Sequence, residues 1–186
     1  MSNLAKHLCC VPLVLTCLLF SATTCHGQNM PEPRAKLVEG PMTRLAAVLG
    51  TWEIDTAWAN GSSLWARNEY KVGLGGKFIE AKTYAKNRSG VAYQRYHTVF
   101  GYDESTKEYK SWGFTYDGTE KTVPIKVEEK DGKVTLTSEW SQDESSRIRQ
   151  SVTIVDGDDH YEWKVWQQSG SEDWVEIMNG QWQRVD

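Results

Sequence analysis

Cysteine is confined to one end of this 186-residue chain: Cys9, Cys10, Cys17 and Cys25 are all it has. If the leading segment is cut away, disulfide staples, CxxC redox chemistry, thiolate metal sites and cysteine nucleophiles go with it. Long apolar runs are scarce too. The longest, Leu8 to Phe20, is too short to span a bilayer as a helix. Basic residues are in deficit, 21 Lys+Arg against 25 Asp+Glu, which argues against nucleic acid as a partner. Histidine is nearly absent, with only His97 and His160 beyond the first 26 positions. No HExxH, His-x-His or carboxylate cluster points to a metal. No Gly-x-Ser-x-Gly elbow is present, and a hydrolytic triad lacks a base. Gly73 to Gly76 has neither a Lys-Ser/Thr pair nor a helix after it, so it reads as a bend and not a phosphate loop. No cofactor is expected.

The first 27 residues have the layout of a secretory signal. Lys6 gives a basic start, Leu8 to Phe20 the apolar stretch, and Ser21 to Gly27 the small residues before a cut. Cleavage after Gly27 leaves Gln28 as the new N-terminus; lipid attachment at Cys25 is the rival. The cut removes one Lys and no acid, making the formal charge of -4 one unit more negative. The chain is expected to be exported, to the periplasm or beyond. Gln28 to Pro41 reads as an exposed leader, and residues 42–186 as one domain.

What is abundant is aromatic: nine Trp and eight Tyr. Thr43 to Leu49 reads as one short amphipathic helix. After it, turn signals recur at Asn60-Gly61, Gly73 to Gly76, Asn87 to Gly90, Asp103 to Lys107, Asp117-Gly118, Asp131-Gly132, Ser141 to Ser146, Gly157-Asp158 and Gln168 to Glu172. The segments between them are rich in Val, Ile, Thr, Tyr and Trp, the composition of strands. Nine turns make about ten strands in an all-β antiparallel meander, and a long meander avoids bare edges by closing into an up-and-down barrel.

Short turns fix register and therefore faces. The Gly157-Asp158 turn pairs Ile154 with Tyr161, Val152 with Trp163 and Gln150 with Val165. The Asp131-Gly132 turn pairs Val127 with Leu136 and Ile125 with Ser138. A loop at Gln168 to Glu172 sets Val165 opposite Val175 and Trp163 opposite Ile177. Symmetric loops at Asp103 to Lys107 and after Tyr116 put Trp112 and Phe114 on the face of Val123, Tyr96 and Phe100. One face thus collects Tyr96, Thr98, Phe100, Trp112, Phe114, Trp140, Gln150, Tyr161 and Trp163; the other takes Arg95, His97, Arg149, Lys164 and most of the charge. Strand Leu64 to Val72 resists this reading. One parity buries Leu64, Ala66 and Tyr70, the other Trp65, Arg67 and Glu69.

Gly50-Thr51-Trp52, after a short helix and opening the first strand, resembles the Gly-x-Trp start of lipocalin-like (calycin) barrels. That resemblance implies a Trp packed at the closed end of the barrel under an Arg from the far end of the chain, here Arg184; Asn179-Gly180 reads as a bulge that turns Trp182 and Arg184 inward. Leu49 to Trp52, Leu74 to Phe78, Gly101 to Asp103 with Tyr109 and Trp112, and Asp158 to Glu162 together resemble a secreted bacterial calycin-like family of unknown function. The Arg-x-Tyr carboxylate clamp of fatty-acid-binding relatives is absent.

Ten strands enclose more volume than side chains ordinarily fill, so the nine inward residues named above read as the lining for a small apolar or aromatic molecule. Two alternatives stand beside this. Some related barrels do acid–base chemistry with Tyr, a carboxylate and an Arg, which here would be Tyr70, Tyr96, Tyr102, Glu69 and Arg67 if the second strand turns the charged pair inward. A filled barrel would act instead through its surface, with Trp166 and Trp174 as an outer cross-strand pair. Haem binding, as in some related barrels, would need an inward histidine, and both read as outward. Oligomeric state is not legible.

Overall fold

The computed structural model describes residues 36–155 and 157–185. The signal segment, its cysteines and most of the leader lie outside the described residues. Ten strands follow in chain order: β1 (Gly50–Ala57), β2 (Ser63–Gly73), β3 (Phe78–Lys86), β4 (Ala92–Asp103), β5 (Glu108–Thr115), β6 (Glu120–Lys130), β7 (Lys133–Ser141), β8 (Ser146–Val155), β9 (His160–Ser169) and β10 (Val175–Arg184). Each pairs antiparallel with the next and β10 returns to β1, closing the barrel. All nine expected turns fall between strands.

Five of those turns use one device. Asn60, Asn87, Asp103, Asp117 and Asp143 each accept a hydrogen bond from the backbone N–H two residues on, where Ser62, Ser89, Ser105, Thr119 and Ser145 stand. A short side-chain acceptor that folds back on its own backbone nucleates the reversal. At Asp131-Gly132 both residues have positive φ, 53° and 73°, the two-residue turn whose twist matches the flanking strands. It gives the expected pairs Val127 with Leu136 and Ile125 with Ser138. The three expected β8–β9 pairs are also present.

Strand β5 departs from the expected register. Lys107, at φ 58°, closes a loop one residue shorter than the symmetric one, so Asp103 pairs with Glu108. At the other end Gly118 takes φ 86° and Thr115 N–H donates to Thr119 O, which pairs Phe114 with Glu120. The two shifts cancel for every later strand and flip β5 alone. Tyr109, Ser111 and Gly113 now face inward opposite Tyr102, Phe100 and Thr98, while Trp112 and Phe114 face out.

On β10 the bulge lies at Ile177, between Glu176 and Met178, three residues before Gly180. The loop before β10 also runs two residues longer than expected, pairing Gln167 with Val175, so loop and bulge together set Val165 against Met178 and Trp163 against Gly180, in place of Val175 and Ile177. Gly180 needs its missing side chain for another reason: a Cβ there would lie 2.7 Å from Ile54 Cδ1. Trp166 pairs with Glu176, so Trp166 and Trp174 are not a cross-strand pair; Trp174 instead stacks under the Arg149 guanidinium at 4.1 Å.

One end is plugged by a 3-10 helix, Pro41–Val48, which begins on a proline suited by its fixed φ to the first helical position. Met42, Leu45 and Val48 point into the barrel. Trp52 is fully buried and its indole N–H donates to Val48 O at 2.8 Å. Arg184, opposite Trp52 in the β1–β10 seam, lies over the Trp52 ring at 4.1 Å and donates to Leu49 O at 2.8 Å. Tyr109 donates to Pro41 O at 2.8 Å. Thus the cation joins first strand, last strand and plug. Trp52→Ala is expected to destabilise the barrel by about 3–5 kcal/mol through the cavity it leaves. Arg184→Met, keeping the packing of the stem, is expected to cost about 1–3 kcal/mol. Urea unfolding midpoints measure both, and an unchanged midpoint for Arg184→Met would contradict this account of the seam.

Candidate functional site: the barrel interior

Inward faces follow from the ladder. Ile79, Ala81 and Thr83 of β3 stand between Val72, Tyr70 and Asn68 on one side and Phe100, Thr98 and Tyr96 on the other. Trp140 pairs with Ile148, Ser138 with Gln150, and Val152 with Trp163. Seven of the nine expected lining residues therefore face the interior: Tyr96, Thr98, Phe100, Trp140, Gln150, Tyr161 and Trp163. Trp112 and Phe114 do not. Trp112 sits outside, edge-on to Phe78, with both rings packed over the bare face of Gly101. Phe114 is 45% exposed.

The interior is layered. Its floor is an aromatic stack in which Trp52 meets Tyr161 at 4.8 Å, Tyr161 stacks on Trp182 at 5.7 Å, and Trp182 meets Trp163 at 5.9 Å. Trp58 from the β1–β2 loop closes on Trp163 at 6.1 Å. Tyr161 and Trp182 are buried, as core residues should be. Tyr96, Thr98, Phe100, Trp140, Gln150 and Trp163 are only half-buried, although the closed wall separates them from the outside. Tyr96 and Trp140 stand toward the open rim, beneath Arg95 and Lys121, while Phe100, Trp140 and Trp163 also pack against the buried clusters. Gln150 Oε1 accepts from the Trp163 indole at 3.4 Å, one of the few polar contacts in this layer.

Strand β2 takes the parity that buries Leu64, Ala66 and Tyr70, and with them Asn68, which the sequence reading passed over. Asn68 is 7% exposed. Its Nδ2 lies 3.2 Å from the Tyr70 hydroxyl and 3.3 Å from the Tyr161 hydroxyl, the latter 93 positions away in sequence. Among the described residues no donor reaches Asn68 Oδ1. Burial pushes both tyrosine hydroxyls up, Tyr161 well above its ordinary value, with the neighbouring Tyr70 hydroxyl adding to the shift. Both stay neutral. One sequence signal could have pointed to Asn68: a single amide on the apolar parity of an otherwise ambiguous strand.

No protein-family model matches the sequence, and no curated protein does. Among solved structures, the crystal structure of Rv2717c from M. tuberculosis matches with a TM-score of 0.57. It is 8% identical, and the match covers 81% of this chain and all of that one. At that identity the likeness concerns the barrel architecture alone.

The charged candidates lie outside. Arg67 reaches Glu53 at 3.4 Å and Glu69 at 3.6 Å, and Lys71 reaches Glu69 at 3.7 Å, all on the outer face. The carboxylate and guanidinium that acid–base chemistry would need are therefore not with the interior tyrosines. His97 faces outward beside Glu80 at 3.7 Å, and His160 beside Asp159 at 3.3 Å. Among the described residues no group of three or more His, Cys, Asp and Glu could hold a metal ion, and no helix is long and apolar enough to cross a membrane.

A groove of about 740 Å³ lies at the plugged end, between the 3-10 helix and the β4–β6 rims. Lys107, Glu108 and Lys126 line its outer side and the inward-facing Tyr102, Tyr109, Ile125 and Val127 its inner side, so it opens on the rim where the plug meets the strands.

The tyrosine shifts carry a pH dependence. A hydroxyl whose folded pKa exceeds the unfolded value of about 10 favours the fold below that pH and loses this contribution as pH rises toward the folded value. In an alkaline absorbance titration Tyr70 and Tyr161 are expected to resist ionisation until the barrel unfolds, and Tyr70→Phe to lower the number of resistant tyrosines by one. Uniform titration of every tyrosine in the folded protein would contradict their placement.

Proposed function

We propose that this chain is an exported, lipocalin-like barrel that holds a small apolar or aromatic molecule in its interior. One observation carries the reading: inward aromatic and polar side chains, enclosed by a complete wall and plugged at one end, are left half-buried. A core built only for stability would pack such groups to native density, because unfilled space forfeits dispersion contacts. Flat rings with a few scattered polar points are the usual lining of a small-molecule site. The Gly-x-Trp opening of β1, with Arg184 over Trp52, agrees with the calycin resemblance, and the signal-like leading segment supports export.

The test is to fill the space. Thr98→Trp, on the inner face of β4, is expected to abolish the shift in Trp emission produced by an apolar naphthalene probe. Trp112→Ala, on the outer face, is expected to leave that binding within about twofold. Equal loss in both variants, or binding that survives Thr98→Trp, would contradict an interior site.

A further inference from the structure

The chemistry of the lining narrows the class of occupant, and this step rests on the reading just given. Among the described residues, the charged side chains with inward parity are Lys121, Glu129 and Arg184, with Arg95 at the β4 bulge, and all four lie at the ends of the barrel. Arg184 is held at the plug. Glu129 is exposed, at the last pairs of the β6–β7 hairpin. Lys121 lies across Trp140 at 5.7 Å and donates to Ser141 O, and Arg95 lies over Tyr96 at 5.3 Å, both at the open rim. Between the ends the interior carries no formal charge.

An anion drawn into such a space would give up its hydration with no cation to replace it, a cost that grows steeply in a low-dielectric site. A wholly apolar molecule would leave the Asn68 carbonyl oxygen without a donor, and an unsatisfied buried acceptor is costly. The terminal torsion of an asparagine is soft, so the amide can turn to meet an incoming group without disturbing β2. The Tyr70 and Tyr161 hydroxyls beside it are neutral and offer both O–H donors and oxygen lone pairs.

We propose that the occupant is an uncharged molecule with an aromatic or alicyclic body and one hydroxyl or amide group, received head-first by Asn68 between Tyr70 and Tyr161. The body lies against Phe100, Trp163 and Gln150, and the head group supplies the donor that Asn68 Oδ1 lacks. A hydroxyl satisfies this cluster in either orientation of the amide, since it both donates and accepts.

Three probes of one ring size separate the cases: 1-naphthol, 1-methylnaphthalene and 1-naphthoate, titrated against Trp emission near neutral pH. Naphthol is expected to bind about 5–10-fold more tightly than methylnaphthalene, the factor of one neutral hydrogen bond, and naphthoate to bind more weakly than either. Asn68→Leu, similar in size, is expected to bring naphthol down to methylnaphthalene while leaving methylnaphthalene unchanged. If this variant does not fold, the order of the three probes on the unaltered protein decides by itself. Naphthoate binding as tightly as naphthol, and weakening on Lys121→Ala, would overturn the proposal and place an acidic head group at the rim. Naphthol and methylnaphthalene binding equally would overturn the role of Asn68. Binding of none of the three would instead count against the interior site itself.

Discussion

A barrel of ten antiparallel strands depends on one join, where the last strand meets the first. Every other pair here is a hairpin whose partners are neighbours in sequence, so short loops bring them together at small entropic cost. The β1–β10 pair has no such help, and its ladder is short: Trp52 with Arg184 and Glu53 with Gln183. What holds it is the Arg184 guanidinium, stacked on a fully buried indole and bonded to the carbonyls of the chain entering β1. A desolvated cation on the face of a Trp is one of the stronger single side-chain contacts available. The same contact seats the 3-10 plug, because Trp52 also bonds to its last turn. Further along the seam, Gly180 leaves room for Ile54 to pack where backbone pairing gives out.

With that join made, the interior has a floor and an opposite rim. The floor is tightly packed and aromatic. The layer above it is charge-free and polar at a few points, and at the floor itself polar groups converge from distant strands: Asn68 from β2 and Tyr161 from β9. An acceptor left unpartnered in such a cluster is costly in a low-dielectric interior, which is why the proposed function is placed there and not on the outer aromatic pairs. The charges that acid–base catalysis would draw on are spent on the outside, Arg67 on Glu53 and Glu69, Arg149 on Glu139 and Trp174.

The architecture was legible because two signals agreed. Turn residues punctuated the chain at every reversal, and β-forming segments filled the gaps. Faces were legible wherever turn geometry was unambiguous, as at Asp131-Gly132. They were lost at β5, where Lys107 and Gly118 each take a left-handed conformation and change the loop length by one. A β-branched or aromatic residue at 107 would have made that conformation implausible, but a lysine is silent on the point. At β10 the register moved by two residues in a loop that runs on to Trp174 and by one more at the Ile177 bulge, and nothing at Ile177 announces the latter. Asn68 escaped notice because β2 carries aromatic or apolar residues on both parities: Trp65 is held outside under Lys86 at 4.4 Å while Leu64 and Tyr70 go in. Only the pairing with β1 and β3 decides between them.

The central claim is that the barrel encloses a molecule, and the most direct measurement is the mass of the protein purified from its native host. Native mass spectrometry is compared with the denatured mass of the same sample. The account predicts extra mass in the native spectrum, of small-molecule size, that disappears on denaturation. Identical native and denatured masses, unchanged after incubation with a lipophilic extract of the same cells, would contradict it.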